Sequence, residues 1–298
     1  MNTKNSQFWG GNRMMDKRQN VLIVGVGLIG GSFSLALKGK RNLQFGGFDL
    51  NRDNLTVAEE VGIIDLSFQD YTTAIQWADL ILLTVPVNTI KELLPTTLDL
   101  VEAGQVVVDF GSTKASICEV ADLHPKRTQF IAAHPIAGTE HSGPSAAFDT
   151  LFKDQNLILC DTEKSERSLL EWFEGLAKAA GFYLTKMDAV EHDRHLAYIS
   201  HLSHISSYVL SNTVLRKEED GEVILDLAGS GFESTVRLAK SSPAMWSSIF
   251  LENKEMILNG ISAYKEELTR LEDLIKEDQA DKISAYLEEG RRIRKILK

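Results

Sequence analysis

Val21–Gly31 reads VLIVGVGLIGG, a short run of buried-strand character that opens into Gly25-x-Gly27-x-x-Gly30. An apolar run without polar alternation is what a strand covered on both faces requires. The three glycines have separate tasks. The first permits a tight turn, the second lets the backbone approach a pyrophosphate, and the third lets the next helix pack close to the strand. That helix carries Phe33, Leu35, Ala36 and Leu37 and begins with unpaired N–H groups and a positive dipole end, suited to phosphates. Leu28 and Ile29, between the second and third glycines, complete the predicted cofactor cradle. Nineteen residues after Gly30, Asp49 closes the strand-like run QFGGFD. A carboxylate there accepts hydrogen bonds from ribose hydroxyls and repels a 2′-phosphate, which favours NAD over NADP. Arg52 nearby weakens that preference without reversing it.

Strand-like runs recur at Val21–Val24, Gln44–Asp49, Leu80–Val85, Val106–Phe110, Phe130–Ala133, Leu157–Cys160 and Phe182–Thr185, most of them separated by helix-length segments. The alternation predicts an α/β fold: a Rossmann-type, doubly wound, mostly parallel sheet over residues 21–187. From Asp188 the pattern becomes helical, predicting an all-helical C-terminal domain over 188–298. Its first helix is expected to be capped by Asp188, to run to about Leu215 and to break at RKEEDGE (Arg216–Glu222). AGSGFES (Ala228–Ser234) reads as a glycine-marked loop. A helix from Pro243 onward carries Ile257, Ile261, Tyr264, Leu268, Leu271 and Ile275, a four-three spacing that fits packing within one subunit or a subunit interface. The interface reading predicts a homodimer through the C-terminal helices. Residues 1–20 are polar and read as a disordered lead-in outside the fold.

With 298 residues, 43% hydrophobic, the chain can bury the cores of two domains. A formal net charge of −10 argues against a nucleic-acid or anionic-membrane partner and for a small-molecule ligand. No apolar run reaches the length of a membrane span, and the first residues lack a signal-peptide core. Cys118 and Cys160 stand outside any CxxC pattern, so packing thiols in a reducing, cytoplasmic setting are expected.

Chemistry gathers where strands end. VVVDFGSTK closes one strand with Ser112, and the next ends in HPIAGTEHSG, presenting His134, with Glu140 and His141 beyond it. Oxidation of an alcohol by a nicotinamide needs a proton acceptor, and imidazole suits that task near neutral pH. A histidine at a strand end is commonly structural, but coincidence with a dinucleotide fold and a second polar strand end favours catalysis by His134. Ser112 can orient that imidazole or touch the nicotinamide.

These segments, with SHLSH (Ser200–His204) and GFESTVRLAKSSPAMW (Gly231–Trp246) leading into FLENKE, resemble the prephenate/arogenate dehydrogenases of tyrosine biosynthesis, over about Val21 to Tyr264. The resemblance implies NAD(P)-dependent oxidative decarboxylation of prephenate to 4-hydroxyphenylpyruvate by a Rossmann domain joined to a helical dimerisation domain. It implies His134 as the catalytic histidine on the ring hydroxyl and Ser112 as the hydroxyl orienting it. Arg237 corresponds to the binder of a substrate carboxylate, His204 to a substrate-site residue, Glu140 to a gating position and Trp246 to a pocket position. The segment Ser230-Gly231-Phe232 departs from the more glycine-rich family pattern.

Prephenate is a dianion with a cyclohexadienol ring. Its oxidation needs cationic carboxylate ligands, a base and a hydride acceptor, and loss of carbon dioxide restores aromaticity without a metal. Arg237 offers a planar fork to a carboxylate, although salt bridging is an arginine's commoner role. His192, His195, His201 and His204 invite a metal reading, but on an ideal helix the first two face away from the last two, so no metal site is expected. His204 is expected at the substrate, with the others capping, packing or meeting solvent. Arogenate, which bears an amine in place of the side-chain ketone, is the alternative substrate. A β-hydroxyacid-type dehydrogenase shares this fold plan without a reason for the HPIAGTE and VRLAK pair. A non-enzymatic NAD-responsive regulator has no need of His134 and Arg237.

Overall fold

Eight strands form one sheet in a computed structural model that describes residues 18–219 and 223–296. The first half alternates β1 (Gln19–Val24), α1 (Leu28–Leu37), β2 (Leu43–Phe48), α2 (Arg52–Glu60), β3 (Leu66–Ser67), α3 (Tyr71–Trp77) and β4 (Leu80–Leu83). There follow α4 (Val87–Leu100), β5 (Val106–Asp109), α5 (Ala115–Asp122), β6 (Phe130–Pro135), β7 (Asn156–Cys160), α6 (Arg167–Ala180) and β8 (Tyr183–Met187). Strand order is β3-β2-β1-β4-β5-β6-β7-β8, parallel throughout except where β6 meets β7. The order reverses between β1 and β4, and open α/β sheets bind ligands outside the carboxyl ends of the strands at such a switch.

Side chains of β1 alternate between two cores. Val21 and Ile23 enter the cluster with Phe33, Phe45 and Phe173, while Leu22 and Val24 enter the one with Ile75, Leu94 and Ile117. Burial on both faces accounts for the unbroken apolar run. Of the lead-in expected over residues 1–20, residues 1–17 lie outside the described residues, whereas Gln19 and Asn20 belong to β1. Their polar side chains give no strand signal, but Gln19 pairs with Leu43 and the Asn20 N–H donates to Asp79 Oδ2. The two-residue β3 was too short to show any pattern.

Asp188 caps α7 (Ala189–Leu196), accepting from the N–H groups of Val190 and Glu191. The single helix expected here is interrupted by a π turn, Ala197–His201, before α8 (Leu202–Glu219), which continues into the acidic stretch expected to break it. Residues 220–222 lie outside the described residues. The glycine-marked loop is instead mostly helix, α9 (Ser230–Val236). Gly229 and Gly231 occupy its cap and first turn, where glycine costs little, and the Ser234 and Thr235 hydroxyls donate to Gly231 O. The helix from Pro243 is two, α10 (Pro243–Glu252) and α11 (Lys254–Lys276), divided at buried Asn253, and α12 (Ala280–Arg291) follows.

The glycines are not equivalent. Gly25 has φ +88°, and a Cβ on Gly30 would meet Ile23 Cγ2 at 2.5 Å and Thr84 Oγ1 at 2.6 Å. A Cβ on Gly27 would meet nothing within 4 Å. Gly30→Ala should therefore cost about 1–3 kcal/mol through overpacking. Gly27→Ala should change stability by no more than about 1 kcal/mol. Urea titration of both variants checks this; equal losses would contradict the packing described.

Candidate active site

The glycine turn, the ends of β4 and β5 and the loop after β6 line the carboxyl edge of the sheet. Thr84 Oγ1 donates to Gly25 O at 2.7 Å, fixing the turn to β4. Asp49 directly follows β2 and accepts from the N–H groups of Val26 and Asn51 at 2.9 and 2.8 Å. Each carboxylate oxygen can accept about two hydrogen bonds, so Asp49 Oδ1, which serves only Asn51, can still take a ribose hydroxyl. The open face of Gly27 at the start of α1 and this carboxylate fit a dinucleotide: backbone can approach the phosphates where a side chain would otherwise stand. The loop after β6 returns onto the same helix, with Ala147 under Gly31 and the Phe148 N–H donating to Ser32 Oγ.

His134 sits near the end of β6, half-buried. Its Nδ1 is hydrogen-bonded to His192 Nε2 at 2.8 Å, and His192 Nδ1 to Asp193 Oδ1 at 2.7 Å. Asp193 also accepts from the backbone N–H groups of Lys114 and Ala115, at 2.7 and 2.9 Å, and so caps α5. Beneath this chain the fully buried Lys114 ammonium pairs with Asp109 and donates to Ala133 O. Asn253 Nδ2 donates to Asp193 O at 2.8 Å and lies 3.2 Å from His201 Nδ1. Ser112 is half-buried and makes no hydrogen bond to His134; the imidazole's partner is His192, which reaches it from α7.

On the helical side His204 stacks on Trp246, ring centroids 3.5 Å apart, and its Nδ1–H donates to Ser200 O. His201 meets the edge of the same indole at 5.9 Å. Trp246 is buried, and its Nε1–H has no acceptor among the described residues, a donor that a bound polar group would satisfy. Arg237 is exposed just after α9, within electrostatic reach of both His204 and Glu140; Glu140 lies in the exposed loop after β6. The rings of His134 and His192 meet at the end of β6, and those of His201, Trp246 and His204 form a second group within electrostatic reach of both His134 and Arg237.

Sequence reasoning missed His192 and Asp193. It assigned faces on an ideal helix, and the i→i+5 turn at Ala197–His201 shifts the phase of everything after it. His192 and His201 consequently both point inward, while His195 is exposed. The adjacent His-Asp pair immediately after a capped helix start was the available signal. Among the described residues no group of three His, Cys, Asp or Glu side chains could hold a metal ion.

Burial is the largest influence on all four inner imidazoles. It holds His134 well below the usual histidine range, reinforced by His192, Lys114 and His201. It lowers His192 against the pull of Asp193, His201 to about 4, and His204 against its bond to Ser200. At neutral pH these rings are uncharged.

Fold and site together define a two-domain, dinucleotide-binding protein of oxidoreductase type. The family model for the prephenate dehydrogenase nucleotide-binding domain matches residues 33–183, and that for the prephenate dehydrogenase dimerization domain matches 188–289. A prephenate dehydrogenase from Lactococcus lactis subsp. cremoris is 33% identical over 288 residues, covering 94% of this chain and 77% of the relative. The crystal structure of A. aeolicus prephenate dehydrogenase with hydroxyphenyl propionate and NAD+ matches at TM-score 0.87 and 30% identity, covering 95% of this chain and 99% of that one. Synechocystis arogenate dehydrogenase matches at TM-score 0.72 and 25% identity, covering 93% and 99%. The chain belongs to the prephenate dehydrogenase family.

The depressed imidazoles predict a pH dependence of stability. A histidine whose folded pKa lies below its unfolded value binds fewer protons when folded, so its contribution is complete above about pH 6.5 and is lost as pH falls toward the folded value. His134, His192, His201 and His204 should each add up to about 1.4 kcal/mol per pH unit to that loss. Unfolding free energy should therefore fall between pH 7 and 5; a flat profile would mean that the folded rings already carry protons.

Proposed function

We propose that this chain catalyses NAD-dependent oxidative decarboxylation of prephenate to 4-hydroxyphenylpyruvate and carbon dioxide, in tyrosine biosynthesis. The observation that carries the reading is a neutral imidazole, His134, at the end of β6, hydrogen-bonded to the buried His192–Asp193 pair. Gly25, Gly27, Leu28, Ile29, Gly30 and Asp49 would hold NAD, with Ser112 beside them. Bound NAD supplies the hydride acceptor.

His134 accepts the proton of the ring hydroxyl as the carbonyl forms. Breakage of the bond to the ring carboxylate then sends its electron pair into the ring, and His134 returns the proton to the resulting phenolate. No proton is released overall, so the base needs no path to bulk solvent. A positioned general base contributes roughly 10²–10⁴-fold. Arg237, with no ion pair among the described residues, offers its fork to a substrate carboxylate, and His204 and Trp246 form the adjoining wall. Glu140, whose carboxyl is held low first by its own backbone N–H and then by His141, Arg237 and Lys240, would close over that cation.

The same reading extends to a homodimer. Of the apolar stripe on α11, Ile257 is buried, whereas Tyr264, Leu268 and Ile275 are 41%, 52% and 58% exposed in the single chain, a face that a second subunit would cover. Cys118 and Cys160 are free and buried, with the Cys118 thiol raised to about 12 by burial, which fits a reducing cytoplasmic setting. Among the described residues no helix is long and apolar enough to cross a membrane.

Steady-state kinetics with prephenate and arogenate, each with NAD and NADP, should give the highest kcat/KM for prephenate with NAD; no turnover of either substrate would refute the reading. His134→Asn should lower kcat at least ~100-fold while sparing NAD affinity. Arg237→Gln should raise substrate KM roughly ten- to a hundredfold, the ~1.5–3 kcal/mol of a charge-assisted hydrogen bond. An unchanged kcat or KM in the respective variant would remove that residue from its role.

A further inference from the structure

We propose that Asp193, acting through His192, fixes the tautomer of His134 so that its Nε2 is held as an unprotonated acceptor, making His192 and Asp193 positioning residues for the base. The inference rests on the role given to His134 above, and it follows from the direction of each hydrogen bond. Both Asp193 oxygens accept backbone N–H groups at the start of α5, Oδ1 from Lys114 and Oδ2 from Ala115. A carboxylate so placed, at the positive end of a helix, is an acceptor. The proton in the 2.7 Å bond to His192 Nδ1 therefore belongs to His192. Neutral His192 then has a lone pair on Nε2, and the proton in its 2.8 Å bond to His134 belongs to His134 Nδ1. Neutral His134 is left with its lone pair on Nε2, which makes no hydrogen bond within the described residues.

The direction is fixed because, among the described residues, neither ring is hydrogen-bonded to any other acceptor. His192 is fully buried and Asp193 is 2% exposed. The other charged or titratable groups facing His134 are Lys114, engaged with Asp109 and Ala133 O, and His201, whose Nδ1 faces Asn253. When His134 accepts the hydroxyl proton, the imidazolium keeps its Nδ1–H directed at His192 Nε2, and the Asp193 charge lies one ring further on. The relay stabilises a charge that exists only until the proton is handed back to the phenolate.

Long-range ¹H–¹⁵N correlation of the full-length protein labelled at histidine, near pH 7.5 and without substrate, reads the tautomers directly. His134 and His192 are assigned by loss of their signals in His134→Asn and His192→Gln. The expected result is N–H at Nδ1 and a bare Nε2 for both rings; an Nε2–H on His134 would overturn the inference. In kinetics, His192→Phe removes the acceptor and should lower kcat at least tenfold, with KM for both substrates within about threefold. His192→Gln, whose Oε1 can still accept from His134 Nδ1, should recover most of that loss. Full turnover in His192→Phe, with turnover lost in His134→Asn, would overturn this inference alone; full turnover in both would overturn the reading of His134 itself.

Discussion

The Asp193 carboxylate is the constraint on which the site depends. It caps the start of α5 of the sheet domain and orders His192, while the backbone carbonyl of the same residue receives Asn253 from the break between α10 and α11. A buried carboxylate is costly unless its oxygens are satisfied, and here helix N–H groups and an imidazole satisfy them. One residue thereby registers the helical region against the sheet and aims the ring that meets His134.

A second contact works with it. Glu252, one residue before Asn253, accepts from Lys91 and from Ser116, and Ser248 bonds Asn88, so α10 is pinned to α4 and α5. Because α10 also carries Trp246, the indole under His204 is positioned from the sheet side as well as from its own helix. Burial between these layers disfavours the charged imidazoles, so they stay unprotonated at ordinary pH and keep a lone pair free to accept a proton. The same burial that makes the site chemically useful makes it a source of acid lability.

Much of this was legible in the chain. The glycine fingerprint, the apolar strand runs and Asp49 reflect local requirements, namely turn geometry, two-sided burial and a strand-end carboxylate, and the sheet follows them closely. His134 was read from its place at a strand end, and Arg237, His204, Trp246 and Glu140 came through resemblance; Arg237 lies within electrostatic reach of Glu140 and of His204, which stacks on Trp246. The misreadings arose where long-range geometry overrides a local pattern. AGSGFES became helix because its glycines fell at the cap, and the Pro243 helix divided because Asn253 spends its amide on another element.

The sequence by itself determined the doubly wound sheet, the dinucleotide cradle and the change to helices at Asp188, since each depends on periodicity or spacing within a few turns of chain. Only the tertiary structure decided the partner of His134. That choice turned on the meeting of α5, α7 and the start of α11 around Asp193, and a hydrogen bond spanning 58 residues leaves no periodic trace in the chain that makes it.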